Sequence, residues 1–249
     1  MDRLIYTSLS AMRALMARQT VTAANLANAN TTGFRGDMAD ATSVYVAPGD
    51  GSVATRAQTE QSVQRADTKA GAVVATGRDL DVALDGDALL GVQAPGGGEA
   101  YTRRGDLTVS DSGLLTTGDG SPVLGDGGPI TLPPADKVSI DKTGAVWIVP
   151  QGGDPAQPQQ VEQLKLVSAA GSKITKGEDG LFRVAGGGTL PSDPDARVAP
   201  GALEGSNVSV TKTLTDMIDA SRAWETQVKM LAGAKEMDSS AADLMNLPN

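Results

Sequence analysis

Histidine and cysteine are both absent from the 249 residues, and each absence removes whole classes of chemistry. Without cysteine there is no disulfide framework and no thiolate nucleophile, and without either residue no Cys/His metal site. Without histidine there is no imidazole base, so any catalysis would rest on carboxylates, Lys, Tyr or Ser. A chain free of cysteine is compatible with export or an oxidising compartment. Aromatics are scarce at 3%, so a β-rich core must pack on Val, Leu, Ile and Ala. Long apolar runs are missing too. Nothing approaches the roughly 20 residues that cross a bilayer, so no membrane insertion is expected. The first segment is broken by Arg3, Arg13, Arg18 and Gln19 and lacks the hydrophobic stretch of a cleavable signal peptide. Export would therefore use a route that reads an uncleaved terminus.

Positive charge is in deficit. The net charge of -9 argues against affinity for nucleic acid or anionic membrane. The two ends carry opposite local bias. Through Gly36, Asp2 stands against Arg3, Arg13, Arg18 and Arg35. From Leu203 onward, Glu204, Asp216, Asp219, Glu225, Glu236, Asp238 and Asp243 outnumber Lys212, Arg222, Lys229 and Lys235. This favours pairing of the two ends, although exposed ion pairs are each worth only ~0–1 kcal/mol.

What is present is helical at the termini and β-like between them. From Asp2 to Asn28, the positions Ile5, Leu9, Met12, Met16, Gln19, Ala23 and Leu26 advance by alternating steps of four and three, the spacing of a coiled-coil seam. Asn, Thr and Gly then end the helix between Asn28 and Gly33, and Phe34 comes next as an aromatic plug. At the other end Ser209 is the N-cap of a last helix. Its stripe is Leu214, Met217, Ile218, Ser221, Trp224, Val228 and Leu231, extended less regularly by Met237, Leu244 and Met245. Methionines on both arms suit seams that must adapt, and Trp224 reads as a buried interface anchor.

Between the helices, residues 37–76 read as an extended connector with a short strand at Ser43–Val46. Residues 77–202 read as a mainly antiparallel β domain. Its strands are expected at Leu80–Leu84, Leu89–Gln93, Leu107–Val109, Val138–Ile140, Ala145–Val149, Gln163–Val167 and Gly180–Val184. Asp85-Gly86, Asp119-Gly120 and Asp126-Gly127 mark turns. The fold class is α+β: an N-terminal arm (1–36) and a C-terminal arm (203–249) packed as a coiled coil, with the connector and the β domain between. Neither arm has an apolar seam large enough to offset the entropy of ordering it. The arms are therefore expected to be mobile in a free monomer and helical once packed among copies or relatives.

Other motifs are quieter. Asp79, Asp81, Asp85 and Asp87 line a strand edge and turn, and no Glu in a twelfth position completes a calcium loop. The Gly-rich pieces around Gly97, Gly120 and Gly127 lack the Lys-Ser/Thr ending of a phosphate cradle. No cofactor and no metal are expected. Asn30-Thr31-Thr32 and Asn207-Val208-Ser209 match glycosylation acceptors but read as helix termination and capping.

Three separated signatures resemble the flagellar axial protein family, the rod and hook subunits of the bacterial flagellum. The first runs from Gln19 through Ala24-Asn25-Leu26-Ala27-Asn28 to Thr32-Gly33-Phe34-Arg35. The second is Leu80-Asp81-Val82-Ala83-Leu84-Asp85-Gly86, continued by Tyr101-Thr102-Arg103 and Gly113-Leu114-Leu115. The third is Leu203-Glu204-Gly205-Ser206-Asn207-Val208, with Met217-Ile218 and Arg222-Ala223-Trp224-Glu225 downstream. The chain departs from the family pattern at Ala24, Leu89-Leu90 and Val210.

The resemblance implies a non-catalytic subunit of the proximal rod, with a distal rod or hook-type axial protein as the alternative. It implies a hollow helical assembly that transmits torque, with terminal helices lining the tube and β domains outside. The partners implied are other rod proteins, proximal and distal, copies of the chain itself, and the flagellar type III export apparatus during secretion. The implied location is the periplasmic basal body. The assembly interface is assigned to Ile5, Leu9, Met12, Met16, Ala23, Leu26, Phe34, Leu214, Met217, Ile218, Ser221, Trp224, Val228 and Leu231. Asn25, Asn28, Thr32, Gly33 and Asn207 form the family turn, which sets the angle between arm and outer domain. Two rival classes are a carboxylate-based cell-wall glycan hydrolase and a secreted ligand-binding β module.

Overall fold

The computed structural model describes residues 2–45 and 57–245. The chain divides into two compact units. One is made of Met1–Ala27, Asp37–Arg65 and Ser209–Asn249, the other of Asn28–Gly36 and Ala66–Val208. The fold is α+β with mostly antiparallel strands, and it has two helices among the described residues.

In the first unit, helix α1 (Asp2–Ala27) packs against helix α2 (Val210–Met245). α1 stops where Asn and Thr take over, with Thr31 N–H and Oγ1 bonding back to the Asn28 carbonyl and side chain at 3.1 Å each. Ser209 starts α2: its carbonyl accepts from Thr213 N–H at 2.9 Å, and its hydroxyl lies 3.5 Å from Lys212 N. Arg18 meets Asp216 at 3.5 Å, the kind of exposed pair that adds little.

The stretch between Gly36 and Ala66 differs from an extended connector with one short strand. Strands Asp37–Tyr45 and Ala57–Ala66 form a two-stranded sheet, and the first lies against α1. Val46 lies outside the described residues. These strands mix Asp, Gln, Thr, Ser and Ala and show no apolar alternation, so the periodicity that reveals half-buried strands is missing here.

The second unit is built on a five-stranded antiparallel sheet. Its spatial order is Leu166–Ser168, Ala88–Gln93, Glu99–Thr102, Phe182–Val184 and Ile174–Lys176. Strand Ala88–Gln93 is apolar on both faces, and successive residues serve two cores. Leu90 and Val92 join the larger cluster with Leu107, Leu115, Val123 and Val146. Leu89 joins Tyr101, Val167, Phe182 and Leu190 on the other side. Burial pushes the Tyr101 hydroxyl up to about 12, against the lowering effect of the Leu190 N–H that it accepts. A three-stranded sheet (Ala135–Ile140, Ala145–Pro150, Gln159–Gln163) and a hairpin (Leu107–Val109 with Leu115–Thr117) complete the body.

Two short pairings close the unit on itself. Val82–Leu84 pairs with Val198–Pro200, and Val73–Ala75 pairs with Ala202–Glu204, with Glu204 opposite Val73. They bring the strands that open this unit alongside the strands that end it.

Candidate functional site

The described residues hold no group of three or more His, Cys, Asp or Glu side chains able to bind a metal. The arrangement that stands out is a buried polar cluster in the β unit. Glu204, at 1% exposure, lies between two guanidiniums, those of Arg35 (5%) and Arg103 (4%). Glu204 Oε1 is 2.7 Å from Arg35 Nη1 and also accepts Gly71 N–H at 2.8 Å. Glu204 Oε2 accepts Arg103 Nε at 2.8 Å.

Arg103 spends its remaining donors on the carbonyls of Gly86, Ala88 and Leu84, at 2.8, 2.6 and 3.0 Å. Arg35 also donates to the Lys69 carbonyl at 2.5 Å. Burial lowers the Arg35 pKa from its ordinary value. Glu204 opposes that shift, and the neighbouring Arg103 adds to it. A cluster with its donors and acceptors matched in this way is rigid, because moving any member exposes a charge to a dry interior.

The cluster continues into the turn. Gly33 donates its N–H to the Glu204 carbonyl at 2.7 Å, and its φ of +66° suits glycine. The Lys176 ammonium sits 4.0 Å from the centroid of the Phe34 ring and donates to the Arg35 carbonyl at 2.8 Å.

Asn207 works as a side-chain peptide. Its Oδ1 accepts Gly36 N–H at 2.8 Å, and its Nδ2 donates to the carbonyls of Asp67 and Lys69 at 2.9 and 3.0 Å. In the helical unit Asn25 treats Asp37 the same way, accepting its N–H and donating to its carbonyl, both at 2.8 Å. An amide does this well because it carries donor and acceptor side by side, as the backbone does. Residues 33–36, 67–71 and 204–207 are thereby tied at one place within the β unit.

Of the assigned turn residues, Gly33 and Asn207 belong to this cluster, and Asn25 makes its separate clamp. Asn28 accepts the turn bonds from Thr31, and Thr32 is half-buried without a described role. The assigned interface residues fall on two sides of the helices. Met12, Leu26, Met217, Trp224 and Leu231 are half-buried. Leu9, Met16, Leu214, Ile218 and Val228 are 43% to 56% exposed, and Ala23 and Ser221 are exposed as well. Phe34 is half-buried, and the Ile5 side chain lies outside the described residues.

In the sequence, Arg103 and Glu204 stand out only as members of longer motifs or as charge. Nothing local pairs residues 35, 103 and 204. An Arg and a Glu inside otherwise apolar or glycine-rich strand ends are still a usable hint, since such groups are buried only when partnered.

Comparison with known proteins gives three family matches in chain order. Residues 5–35 match the flagella basal body rod protein family, residues 83–148 the flagellar hook protein FlgE/F/G D1 domain, and residues 199–244 the flagellar basal body rod FlgEFG protein C-terminal family. The chain is 40% identical over 254 residues to flagellar basal-body rod protein FlgF of Salmonella typhimurium, covering 99% of this chain and 100% of that protein. It is 39% identical to FlgF of Escherichia coli with the same coverage. It is 32% identical over 269 residues to flagellar basal-body rod protein FlgG of Bacillus subtilis, covering 99% of each chain.

Proposed function

The chain belongs to the flagellar basal-body rod protein family and is a structural subunit of the rod, and from that membership we propose how its two units serve assembly. Helices α1 and α2 pack as a coiled coil and carry the axial contacts to copies of the chain and to neighbouring proximal and distal rod subunits. The β unit, stiffened internally by the Arg35–Glu204–Arg103 cluster, bears load as the shaft turns. The subunit works in the periplasmic basal body, in the proximal rod, after export by the flagellar apparatus.

The observation that carries this reading is the apolar surface the helical unit leaves open. Leu9, Met16, Leu214, Ile218, Val228, Met230 and Met237 are all 43% or more exposed on two helices. Large apolar side chains repeated along one element mark a surface awaiting a partner. The full-length relatives are rod proteins, and they give a glycan hydrolase no support.

Ile218→Asp tests the exposed face, and Leu26→Asp and Trp224→Asp test the half-buried one. Each is expected to leave a soluble chain with a folded β unit. Burying an unpaired carboxylate in a subunit contact costs several kcal/mol, so incorporation into rods falls by about a hundredfold or more and cells relying on the variant do not swim. Normal swimming in all three would count against the assignment of these helices.

A second expectation concerns the clamp. Asn207→Ala removes one acceptor and two donations at once. It is expected to destabilise the β unit by about 2 kcal/mol, because the Gly36 N–H and the Asp67 carbonyl lose their partners while the Lys69 carbonyl keeps Arg35. Chemical denaturation followed by fluorescence in a Trp224→Phe background, where Trp147 alone reports, measures this. A change below about 0.5 kcal/mol would show that water replaces the amide freely.

A further inference from the structure

One buried side-chain polar atom has no hydrogen-bond partner among the described residues, and it is Gln227 Oε1 on α2. From its position we infer that Gln227 weakens the seam between α1 and α2 within a single chain, which keeps the helices available to neighbouring subunits. This rests on the rod-subunit reading.

Among the covered positions of α2, which also include Asp216, Ala223 and Gly233, are Thr213, Met217, Ala220, Trp224, Gln227, Leu231 and Ala234. They advance by four, three, four, three, four and three residues, which is a heptad seam. Gln227 stands where that pattern calls for an apolar knob. Other polar residues on the covered faces have an outlet along their own helix. Thr213 Oγ1 donates to the Ser209 carbonyl at 2.8 Å, and Thr22 Oγ1 donates to the Arg18 carbonyl at 2.8 Å. The Gln227 oxygen is shut from water with no donor, which is worse than leaving it solvated.

The seam it burdens is already thin, since Thr213, Ala220 and Ala234 supply little apolar surface. The uncovered sides of α2 hold Leu214, Ile218, Val228 and Met230, which neighbours would cover. A loose internal seam lets the pair adjust as neighbours cover these other sides. One unpartnered polar seam residue lowers the stability of the closed pair.

The test uses the full-length chain. Gln227→Leu is expected to raise the midpoint of the helical unfolding transition, followed by circular dichroism, by about 5 °C. It should also weaken self-association, measured by sedimentation, by about tenfold, and shrink swimming halos. Gln227→Asn keeps the amide and should match the wild type in all three. An unchanged or lowered midpoint for Gln227→Leu, in a wild-type background that does associate, overturns the inference alone. A raised midpoint with wild-type association and swimming overturns the assembly role. A wild-type chain that never associates in the same runs overturns the rod reading, and this inference with it.

Discussion

Replacing Glu204 with Gln is expected to lower the stability of the β unit by about 3–5 kcal/mol, the usual cost of stripping one partner from a buried ionic group. The size comes from what is left behind. The guanidiniums of Arg35 and Arg103, 5% and 4% exposed, would keep their charges with no anion between them. Arginine cannot escape by losing its proton. The amide of Gln offers one acceptor oxygen where the carboxylate has two, so either Arg35 with Gly71 or Arg103 goes short.

For a unit of this size the melting midpoint should fall by about 10 °C, read through Trp147, which lies in the β unit, again in the Trp224→Phe background. Removing one positive charge as well, in Arg35→Met with Glu204→Gln, should cost less than the sum of the single changes, because the two groups share one network. A midpoint within about 2 °C of wild type for Glu204→Gln alone would mean that the cluster is hydrated, and the idea that it stiffens the β unit would fail.

Much of the local structure is legible in the residues themselves. Both helices come from apolar spacing, and their ends from Asn28 to Gly33 and from Ser209. Strand Leu107–Val109 has the expected bounds, and Ala145–Pro150 exceeds its expected range by one residue. The cluster is not legible in this way. It joins residues separated by 68 and 101 positions, brought together by pairings such as Glu204 with Val73. No periodicity encodes such a meeting. Strand Val73–Ala75 shows the same limit: all three residues are exposed, so its burial pattern carries no alternation.

The helical stripes differ in kind. Periodicity finds an apolar stripe but not the neighbour that covers it. On α1 the most covered described positions are Ser8, Val21 and Thr22, while Leu9 and Met16 face outward. On α2 Ala220 is covered while Ile218 is not. A helix that must contact its own chain on one side and other subunits elsewhere carries more than one apolar stripe. The most hydrophobic of them need not be the internal one.

Gly33→Ala is expected to be nearly as damaging as loss of Glu204, and here two separable causes add. The residue sits at φ +66°, in the left-handed region, where an L side chain costs roughly 1–2 kcal/mol. Its added Cβ would also lie 2.4 Å from the Arg103 carbonyl carbon and oxygen and 2.6 Å from Arg104 N. Those atoms are backbone, so no rotamer change relieves the clash. The chain must move away from Arg103, stretching the Gly33 N–H bond to the Glu204 carbonyl. We expect a total loss of about 3 kcal/mol or more, within the range of backbone strain combined with overpacking.

Two further glycine variants separate the causes. Gly86 has φ +51° with nothing within 4 Å of a Cβ, so Gly86→Ala should show the conformational cost alone, about 1 kcal/mol. Gly105 needs no positive φ, but its Cβ would fall 1.8 Å from the Val82 carbonyl oxygen, so Gly105→Ala isolates the clash. The order of midpoints should be Gly86→Ala highest, with Gly33→Ala and Gly105→Ala well below. Equal midpoints for Gly33→Ala and Gly86→Ala would mean that the turn does not press against Arg103. The glycine would then serve the backbone only, and the turn would contribute nothing to the rigidity of the cluster.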